Sequence, residues 1–298
     1  MREVFAVAAE WIGAKHPFAL ATLVALREAK TAPLGTTIAV DAAGRIVGNI
    51  GAGCYESEVV EAAQQTLTDG LVRRLDINLD RDDELSGGTA CGAVMQLIVW
   101  RPGPSFLEEA RAISAGERDA VLAIEDFTCR IAAKRRLYLI GATSLAADLA
   151  AIGRRADYRV TIVDPRPLFA TPARLPEAHE IVTLWPQEYL PRVLDAASAI
   201  VVLSHDPKFD LPALRCALAS DAAYIGLLGS RRAQASRRAA LRAAGVDDAS
   251  LARIHGPVGL NIGGESNAET AISILAEITA ERNGRSGSPL VAASGKIH

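Results

Sequence analysis

Apolar residues recur along this chain at two spacings, and the change of spacing divides it into two parts. The first part has helical spacing in 3–15, an apolar strand in 18–27, and half-buried strands in 71–79 and 93–100. The second part, from residue 137, repeats short apolar strands that are each followed by a turn and a helix. This repeated strand–helix order predicts a doubly wound parallel sheet.

The sequence therefore predicts an α/β protein with two domains. An N-terminal α+β domain is expected in residues 1–134, and a Rossmann-like domain in residues 135–284. The basic run 134–136 marks the boundary, because the hydrophobic pattern changes directly after it. Gly and Ser residues are frequent in 285–298, and this composition favours a flexible tail.

A glycine-rich loop precedes the second helix of the first domain. Gly51 and Gly53 lead into Cys54 and Glu56, and helical spacing begins at the cysteine. A thiol at a helix N-terminus faces unpaired N–H groups and the positive end of the helix dipole, and both favour the thiolate. The loop is interpreted as a reactive or metal-binding cysteine beside an anion site. The alternative is a buried thiol in a tight strand-to-helix turn.

A second cysteine lies in a similar position. Cys91 is followed by Gly92 in a glycine-flanked loop next to a strand, and it is a candidate to share a cleft with Cys54. Two thiolates there would be soft metal ligands. The chain has four cysteines and no CxxC pair, a pattern that favours reduced thiols in a cytoplasmic protein. We expect neither a secretory signal nor a membrane span.

The first strand–helix turn of the second domain resembles a dinucleotide-binding fingerprint in outline. Gly141 opens the turn, and Asp164 follows the next strand 23 residues later, at the position of a ribose-binding acid. Thr143 stands where the fingerprint has its second glycine. Its side chain would occupy the place where a pyrophosphate approaches the backbone most closely. NAD or NADP is therefore a disfavoured cofactor.

Two later strand ends also carry candidate ligand-binding residues. His205 directly follows a strand and is either a ligand contact or a structural histidine. Gly229 and Ser230 open a helix that begins with Arg231 and Arg232. Free N–H groups and two guanidinium groups suit a phosphate, and the alternative is an N-capped helix with solvated arginines.

Formal charge gives no sign of a nucleic-acid partner. The 298 residues carry a net charge of only −3, so binding to a polyanion through bulk charge is not expected.

The individual motifs are short, but they occur in one order along nearly the whole chain. Together they resemble the XdhC/CoxI family, the accessory proteins of molybdenum hydroxylases such as xanthine dehydrogenase and carbon monoxide dehydrogenase. The motifs that carry the resemblance are Gly53-Cys54-Tyr55-Glu56, Cys91-Gly92, Ser204-His205-Asp206, and the segments 226–232 and 255–263.

This resemblance implies a cytoplasmic maturation chaperone that binds molybdenum cofactor, as molybdopterin or its dinucleotide form, and has no catalytic residue of its own. Such a chaperone holds the cofactor for sulfuration by a cysteine desulfurase and inserts it into the large subunit of a molybdenum hydroxylase. The resemblance implies Cys54 and Cys91 as contacts of the metal or sulfur, and Ser230, Arg231 and Arg232 as contacts of the phosphate.

A homodimer is a further expectation. Two other functions remain open from the sequence. One is an NAD(P)-dependent oxidoreductase, and the other is a hydroxylase-associated scaffold in which the cofactor site has decayed.

Overall fold

A computed structural model describes residues 1–27, 32–50, 56–78 and 94–292. The chain divides into two compact units, of which the first comprises residues 1–133 and the second begins at Lys134. Each unit has its own buried hydrophobic clusters. Within the described residues, no helix has the length and apolar character that crossing a bilayer requires.

The first unit is built on an antiparallel sheet with helices on both faces. Its helices are α1 (Arg2–Gly13), α2 (Glu56–Asp69) and α3 (Leu107–Ala115). Its strands are β1 (Phe18–Arg27), β2 (Thr37–Asp41), β3 (Ile46–Val47), β4 (Arg73–Asn78), β5 (Val94–Trp100), β6 (Ala120–Ile124) and β7 (Phe127–Ile131). The order β3-β2-β1-β5-β4 places β1 in the centre, and β6 and β7 form a separate hairpin.

The apolar character of β1 follows from this arrangement. Phe18 and Leu20 pack in the cluster that contains α1 and α3, whereas Ala19 and Ala21 pack in the cluster that contains α2. Successive side chains of a strand point to opposite faces, so a central strand covered on both sides is apolar throughout.

The second unit is a six-stranded parallel sheet. Its strands are β8 (Arg135–Ile140), β9 (Tyr158–Val163), β10 (Glu180–Val182), β11 (Ser198–Val202), β12 (Tyr224–Leu227) and β13 (Ile254–His255). Its helices are α4 (Ser144–Arg155), α5 (Pro186–Tyr189), α6 (Pro207–Leu218), α7 (Arg231–Ala243), α8 (Asp248–Ala252) and α9 (Asn267–Arg282). The strand order is β10-β9-β8-β11-β12-β13, and every neighbouring pair is parallel.

This order defines where a ligand can bind. Counted from β8, it is 3-2-1-4-5-6, the order of dinucleotide-binding folds, and it reverses between β8 and β11. Helices α4 and α9 cover one face of the sheet, and α6, α7 and α8 cover the other. The predicted α/β class and the Rossmann-like sheet are therefore confirmed. The carboxyl ends of β8 and β11 flank the crevice at which such folds bind their ligands.

Candidate functional site

Most of the candidate residues of the first unit lie outside the described residues. These are Gly51, Gly53, Cys54, Cys91 and Gly92. Glu56 is the first residue of α2, and it is exposed. Among the residues that the structure describes, no group of three or more His, Cys, Asp or Glu side chains is arranged to hold a metal ion.

The two described cysteines are Cys129 and Cys216, and both are free and half-buried. Burial raises the pKa of each thiol above its ordinary value, so both remain protonated at neutral pH. Thiolate chemistry at neutral pH is therefore not expected of these two side chains.

The turn after β8 packs directly against the end of β11. Gly141 has a φ of +107°, and a Cβ atom built on it would lie 3.1 Å from both the Cβ and the amide nitrogen of Ser204. Only glycine combines this backbone conformation with such a close approach. The structure thus brings the predicted turn residue Gly141 into contact with Ser204 at the point where the strand order reverses.

Thr143 caps the helix that follows this turn. Its hydroxyl oxygen accepts a hydrogen bond of 3.1 Å from the amide of Ala146, in the first turn of α4. A helix start of this kind would otherwise offer its free N–H groups to a phosphate. One of these donors is therefore already satisfied by the chain itself.

Removal of the Thr143 hydroxyl tests this capping role. We expect Thr143→Ala to lower the free energy of unfolding of the second unit by about 1 kcal/mol, because the Ala146 amide loses its acceptor. Urea denaturation followed by circular dichroism measures the change. Thr143→Ser keeps the hydroxyl and should stay close to the wild type. Equal midpoints for the alanine variant and the wild type would contradict the cap.

Asp164, the predicted ribose-binding acid, is fully engaged by the protein. Its side chain has 0% exposure. Oδ2 accepts from the Ala142 amide at 2.8 Å and from Arg166 Nη2 at 2.7 Å. Oδ1 accepts from the amide and the Nε of Arg166, at 3.0 and 2.9 Å. A carboxylate has about four acceptor positions. No acceptor position is therefore left for a ribose hydroxyl.

The charge state of Asp164 follows from the same contacts. Burial alone would raise the pKa of its carboxyl, but the hydrogen bonds from Arg166 and from the Ala142 amide hold that pKa below its ordinary value. The same ion pair raises the pKa of Arg166. Asp164 is thus a buried carboxylate that ties the turn after β8 to the segment after β9.

Arg166 has no role in the sequence-based prediction, and the structure places it among aromatic rings. Its guanidinium carbon lies 4.6 Å from the centre of the Phe169 ring and 5.1 Å from that of the Phe209 ring. The Trp185 ring lies 5.3 Å from the Phe209 ring. Cation–π contacts and the ion pair with Asp164 together fix the arginine in this position. An Asp-x-Arg sequence after a strand is the only local signal for such a pair.

The loop after β11 separates into a buried part and an exposed part. Ser204 is buried, whereas His205 is exposed. Asp206 is the N-cap of α6, since its Oδ1 accepts from the amide of Lys208 at 3.0 Å. Asp206 is therefore held by its capping role, and His205 has a side chain that a ligand could reach.

The predicted phosphate loop lies between β12 and α7. Gly229 has a φ of +129°, and Ser230 is the N-cap of α7, where its hydroxyl oxygen accepts from the Ala233 amide at 3.3 Å. Arg231 and Arg232 begin the helix and are exposed. Neither arginine has a hydrogen bond or an ion pair with another described residue. Both guanidinium groups are thus available to an anion near the Gly229 turn.

A buried ionic network lies beneath this loop. Ser204 donates to Asp210 Oδ1, and Asp210 Oδ2 accepts from Arg237 Nε at 2.7 Å and pairs with Arg237 Nη2 at 2.6 Å. Burial raises the pKa of the Asp210 carboxyl, and the bonds from Ser204 and Arg237 oppose that rise. The network connects the end of β11 with the two helices α6 and α7.

Sequence reasoning missed this network, although a signal was present. Asp210 falls on the apolar stripe of α6 that is formed by Ala213, Leu214 and Ala217, at spacings of three, four and seven residues. A charged residue on a buried helix face requires a partner. The sequence does not show which residue supplies that partner.

A cavity of about 890 Å³ lies at the C-terminal ends of α6 and α7, and Cys216, Pro212, Leu218, Leu241 and Val246 contribute to its mostly apolar wall. Helix α6 begins at the carboxyl end of β11, so its C-terminal end lies toward the amino ends of the strands. The cavity is therefore separate from the carboxyl ends of the strands, where Gly141, His205 and Gly229 lie. We call these strand ends the candidate edge.

Both units match known family models. Residues 11–78 match the model described as the XdhC and CoxI family, and residues 137–278 match the model described as the XdhC Rossmann domain.

Named relatives extend these matches. The "Uncharacterized protein YqeB" of Escherichia coli K12 is 28% identical over 284 residues, which are 95% of this chain and 47% of that protein. A Bacillus subtilis 168 protein, named as a probable subunit of xanthine dehydrogenase, is 32% identical over 157 residues, 52% of this chain and 46% of that protein. The "Molybdenum cofactor insertion chaperone PaoD" of Escherichia coli K12 is 32% identical over 89 residues, 30% of this chain and 28% of that protein. The matched regions thus span about half or less of these relatives.

A solved structure has the same fold. A crystal structure from Bacillus halodurans, described as a xanthine dehydrogenase, has a TM-score of 0.78 and 20% sequence identity. The similarity covers 97% of this chain and 98% of that one. It extends over both units.

Proposed function

The chain belongs to the XdhC and CoxI family, and on this premise we propose that it is a maturation factor that binds molybdenum cofactor and delivers it to a molybdenum hydroxylase of the xanthine or carbon monoxide dehydrogenase type. It acts as a binding protein and not as a turnover enzyme.

The observation that carries this proposal is the presence of both family regions in one chain, in residues 11–78 and 137–278. Two relatives support it by name. One is named as a probable subunit of xanthine dehydrogenase, and the other is named as a molybdenum cofactor insertion chaperone.

The described residues fit the phosphate end of such a cofactor. Arg231 and Arg232 are exposed, lack partners among the described residues, and stand beside the positive-φ turn at Gly229 and the N-cap Ser230. A helix start with free guanidinium groups suits a phosphate or a pyrophosphate. The exposed His205 follows the neighbouring strand, within the same edge of the sheet.

The metal end of the cofactor is assigned to the first unit through the family resemblance. Cys54 and Cys91 are proposed to contact the molybdenum or its sulfur, with Gly51, Gly53, Glu56 and Gly92 beside them. When bound, the cofactor supplies the redox-active molybdenum that the hydroxylase uses. This chain holds the cofactor and keeps it from reacting before delivery.

The geometry of the second unit disfavours the alternative of an NAD(P)-dependent oxidoreductase. All four acceptor positions of Asp164 are filled by the protein, and the Thr143 side chain stands at the helix start where a pyrophosphate would need a glycine. The phosphate-binding capacity of the sheet therefore lies at Gly229 rather than at Gly141.

Further parts of the proposal concern partners. A cysteine desulfurase supplies the sulfur, the large subunit of the hydroxylase receives the cofactor, and the chain works in the cytoplasm as a homodimer.

The competing function is a scaffold with a decayed cofactor site. A scaffold predicts that a Cys54→Ala/Cys91→Ala double variant still supports an active hydroxylase in cells, whereas a cofactor chaperone predicts an inactive hydroxylase.

Cofactor retention by the purified protein tests the proposal. The full chain is mixed with molybdenum cofactor and passed through a desalting column, and molybdenum is measured by mass spectrometry and pterin by fluorescence. We expect the wild type to retain both and Cys54→Ala to lose most of the bound molybdenum, because a soft thiolate ligand is removed.

Cys216→Ala is the matched control, since it removes a thiol from the second unit at a distance from the candidate edge. It should retain molybdenum like the wild type. Equal retention by Cys54→Ala and the wild type would exclude Cys54 from the site. Absence of retention by the wild type would contradict the proposed function.

A further inference from the structure

A third arginine approaches the Gly229 turn from inside the protein. Arg237 lies two helical turns into α7 and is only 8% exposed. A Cβ atom built on Gly229 would lie 3.4 Å from Arg237 Nη1, which is ordinary contact distance. The guanidinium group thus forms the floor of the turn whose surface carries Arg231 and Arg232.

The orientation of this guanidinium group is fixed from below. Its Nε and Nη2 both reach Asp210 Oδ2, at 2.7 and 2.6 Å, and Asp210 Oδ1 accepts from Ser204. Its Nη1 has no hydrogen-bond partner among the described residues. Two nitrogens are therefore held by a buried carboxylate, while the third faces the turn as an unused donor. A planar guanidinium fork held on one edge is well suited to bind an oxyanion at the other.

A neighbouring side chain of α7 has a buried atom that lacks a partner. Gln234 is 4% exposed, and its Nε2 donates to the Leu227 carbonyl at 2.8 Å. Its Oε1 has no partner among the described residues. A Cβ atom built on Gly256 would overlap this Oε1, so the unused acceptor faces the loop after β13, whereas Arg237 Nη1 faces Gly229. Buried polar atoms are nearly always hydrogen-bonded, so the Oε1 points to ordered water or a ligand between α7 and that loop.

We propose that Arg237 is a ligand-binding residue that donates through Nη1 to a phosphate or pyrophosphate oxygen held at Gly229 and Ser230. This inference rests on the proposed function in one respect, namely that the phosphate belongs to the cofactor. Arg237 sets the position of the anion, because its guanidinium group is immobilised before binding. Arg231 and Arg232 attract the anion through charge, because their side chains are exposed and unfixed.

Asp210 and Ser204 are positioning residues in this arrangement. Ser204 also packs against Gly141, so the network joins the turn after β8 to the loop after β12. The Asp210 carboxylate neutralises Arg237 when no anion is bound, and it holds the guanidinium plane toward the turn. A lysine at position 237 would keep the charge, but it could not make the fork contact with Asp210 and reach the anion as well.

Calorimetric titration of the full chain with inorganic pyrophosphate tests the proposal. Arg237 alone cannot be removed cleanly, because Asp210 would be left buried and unpaired. The test variant is therefore Ser204→Ala/Asp210→Leu/Arg237→Met, which replaces the whole network by apolar groups of similar size. We expect wild-type binding and about tenfold or greater weakening in the triple variant, the loss of one charge-assisted hydrogen bond. Circular dichroism confirms that the variant is folded.

The salt dependence of pyrophosphate binding distinguishes the exposed Arg231 and Arg232 from the buried Arg237. The contributions of Arg231 and Arg232, measured as Arg231→Ala/Arg232→Ala, should shrink between about 50 mM and about 500 mM NaCl, because exposed charges are screened. The loss in the triple variant should persist, because Arg237 is buried. Arg242→Ala is the matched control at the far end of α7. Its exposed side chain pairs with Asp248, and pyrophosphate binding should be unchanged.

Three results would overturn the inference. They are the absence of pyrophosphate binding by the wild type, equal binding by the wild type and the triple variant, and a loss in the triple variant that disappears at high salt.

Cofactor retention distinguishes the two proposals. If the wild type retains molybdenum cofactor and the triple variant retains it equally well, Arg237 is excluded while the proposed function stands. If pyrophosphate binding depends on Arg237 and the wild type retains no cofactor, the anion site stands and the proposed function fails.

Discussion

Alanine at Asp210 is expected to lower the free energy of unfolding of the second unit by about 3–5 kcal/mol. The carboxylate has 0% exposure and is the partner of Arg237, whose side chain has 9% exposure. Alanine would leave the guanidinium group buried without its counter-ion, and the Ser204 hydroxyl would lose its acceptor. Removal of one member of a buried pair is far more costly than replacement of both members by apolar groups.

Urea denaturation and hydrogen exchange measure this effect. Circular dichroism gives the unfolding midpoint, and peptide-resolved hydrogen exchange of α6 and α7 assigns the loss to the second unit. Ser204→Ala is the control, for which we expect a loss of only about 1 kcal/mol, because Asp210 keeps its contacts with Arg237. The Ser204→Ala/Asp210→Leu/Arg237→Met variant should recover most of the stability. An Asp210→Ala variant as stable as Ser204→Ala would show that Arg237 is not held by Asp210.

The fold could be predicted because its strands are covered on both faces. Segment 199–203 is a continuous apolar run, and 159–163 is apolar except for Arg159 and Thr161. A polar residue follows each segment, and the strand–helix alternation then allows few topologies. Strand β10 was missed because Glu180–Val182 has only three residues, too few to show a period. The four-residue helix α5 was missed for the same reason.

The sequence predicts which residues lie at the candidate edge, but it does not predict which partners bind their side chains. Parallel strands bring their carboxyl ends together, so Gly141, Asp164, His205 and Gly229 were expected along one edge. The partners of these residues depend on distances across the fold, which a sequence pattern does not contain. Asp164 matches a ribose-binding acid by spacing alone, yet the structure shows its oxygens filled by Arg166 and a backbone amide.

The same distinction applies to the arginines of α7. Arg231 and Arg232 can be proposed as phosphate contacts from the sequence, because a helix start after a glycine is a local feature. Arg237 cannot, because its importance comes from Asp210, 27 residues earlier in the chain. Exposed charges at a helix start can be recognised in a sequence, whereas the buried partners that hold a side chain become visible only in the fold.

Arg166→Ala is expected to make the second unit more sensitive to acid. The pKa of Asp164 is depressed in the folded state, so its ion pair stabilises the fold fully above the unfolded pKa of about 3.9, and this contribution is lost as the pH falls through the folded value. Without the guanidinium group, Asp164 keeps its bonds from two backbone amides but remains buried. Burial then raises its pKa, and the contribution is lost at a higher pH.

The variant should therefore unfold at a higher pH than the wild type when the protein is titrated from about pH 7 to about pH 2 and followed by circular dichroism. At neutral pH we expect a loss of about 1–3 kcal/mol in the free energy of unfolding, the cost of a buried acceptor without its side-chain donor. Arg174→Ala is the matched control, because Arg174 also lies against the Phe169 ring, at 5.2 Å, but makes no contact with Asp164. Equal acid midpoints for the two variants would show that the cation–π contacts, and not the ion pair with Asp164, account for the contribution of Arg166.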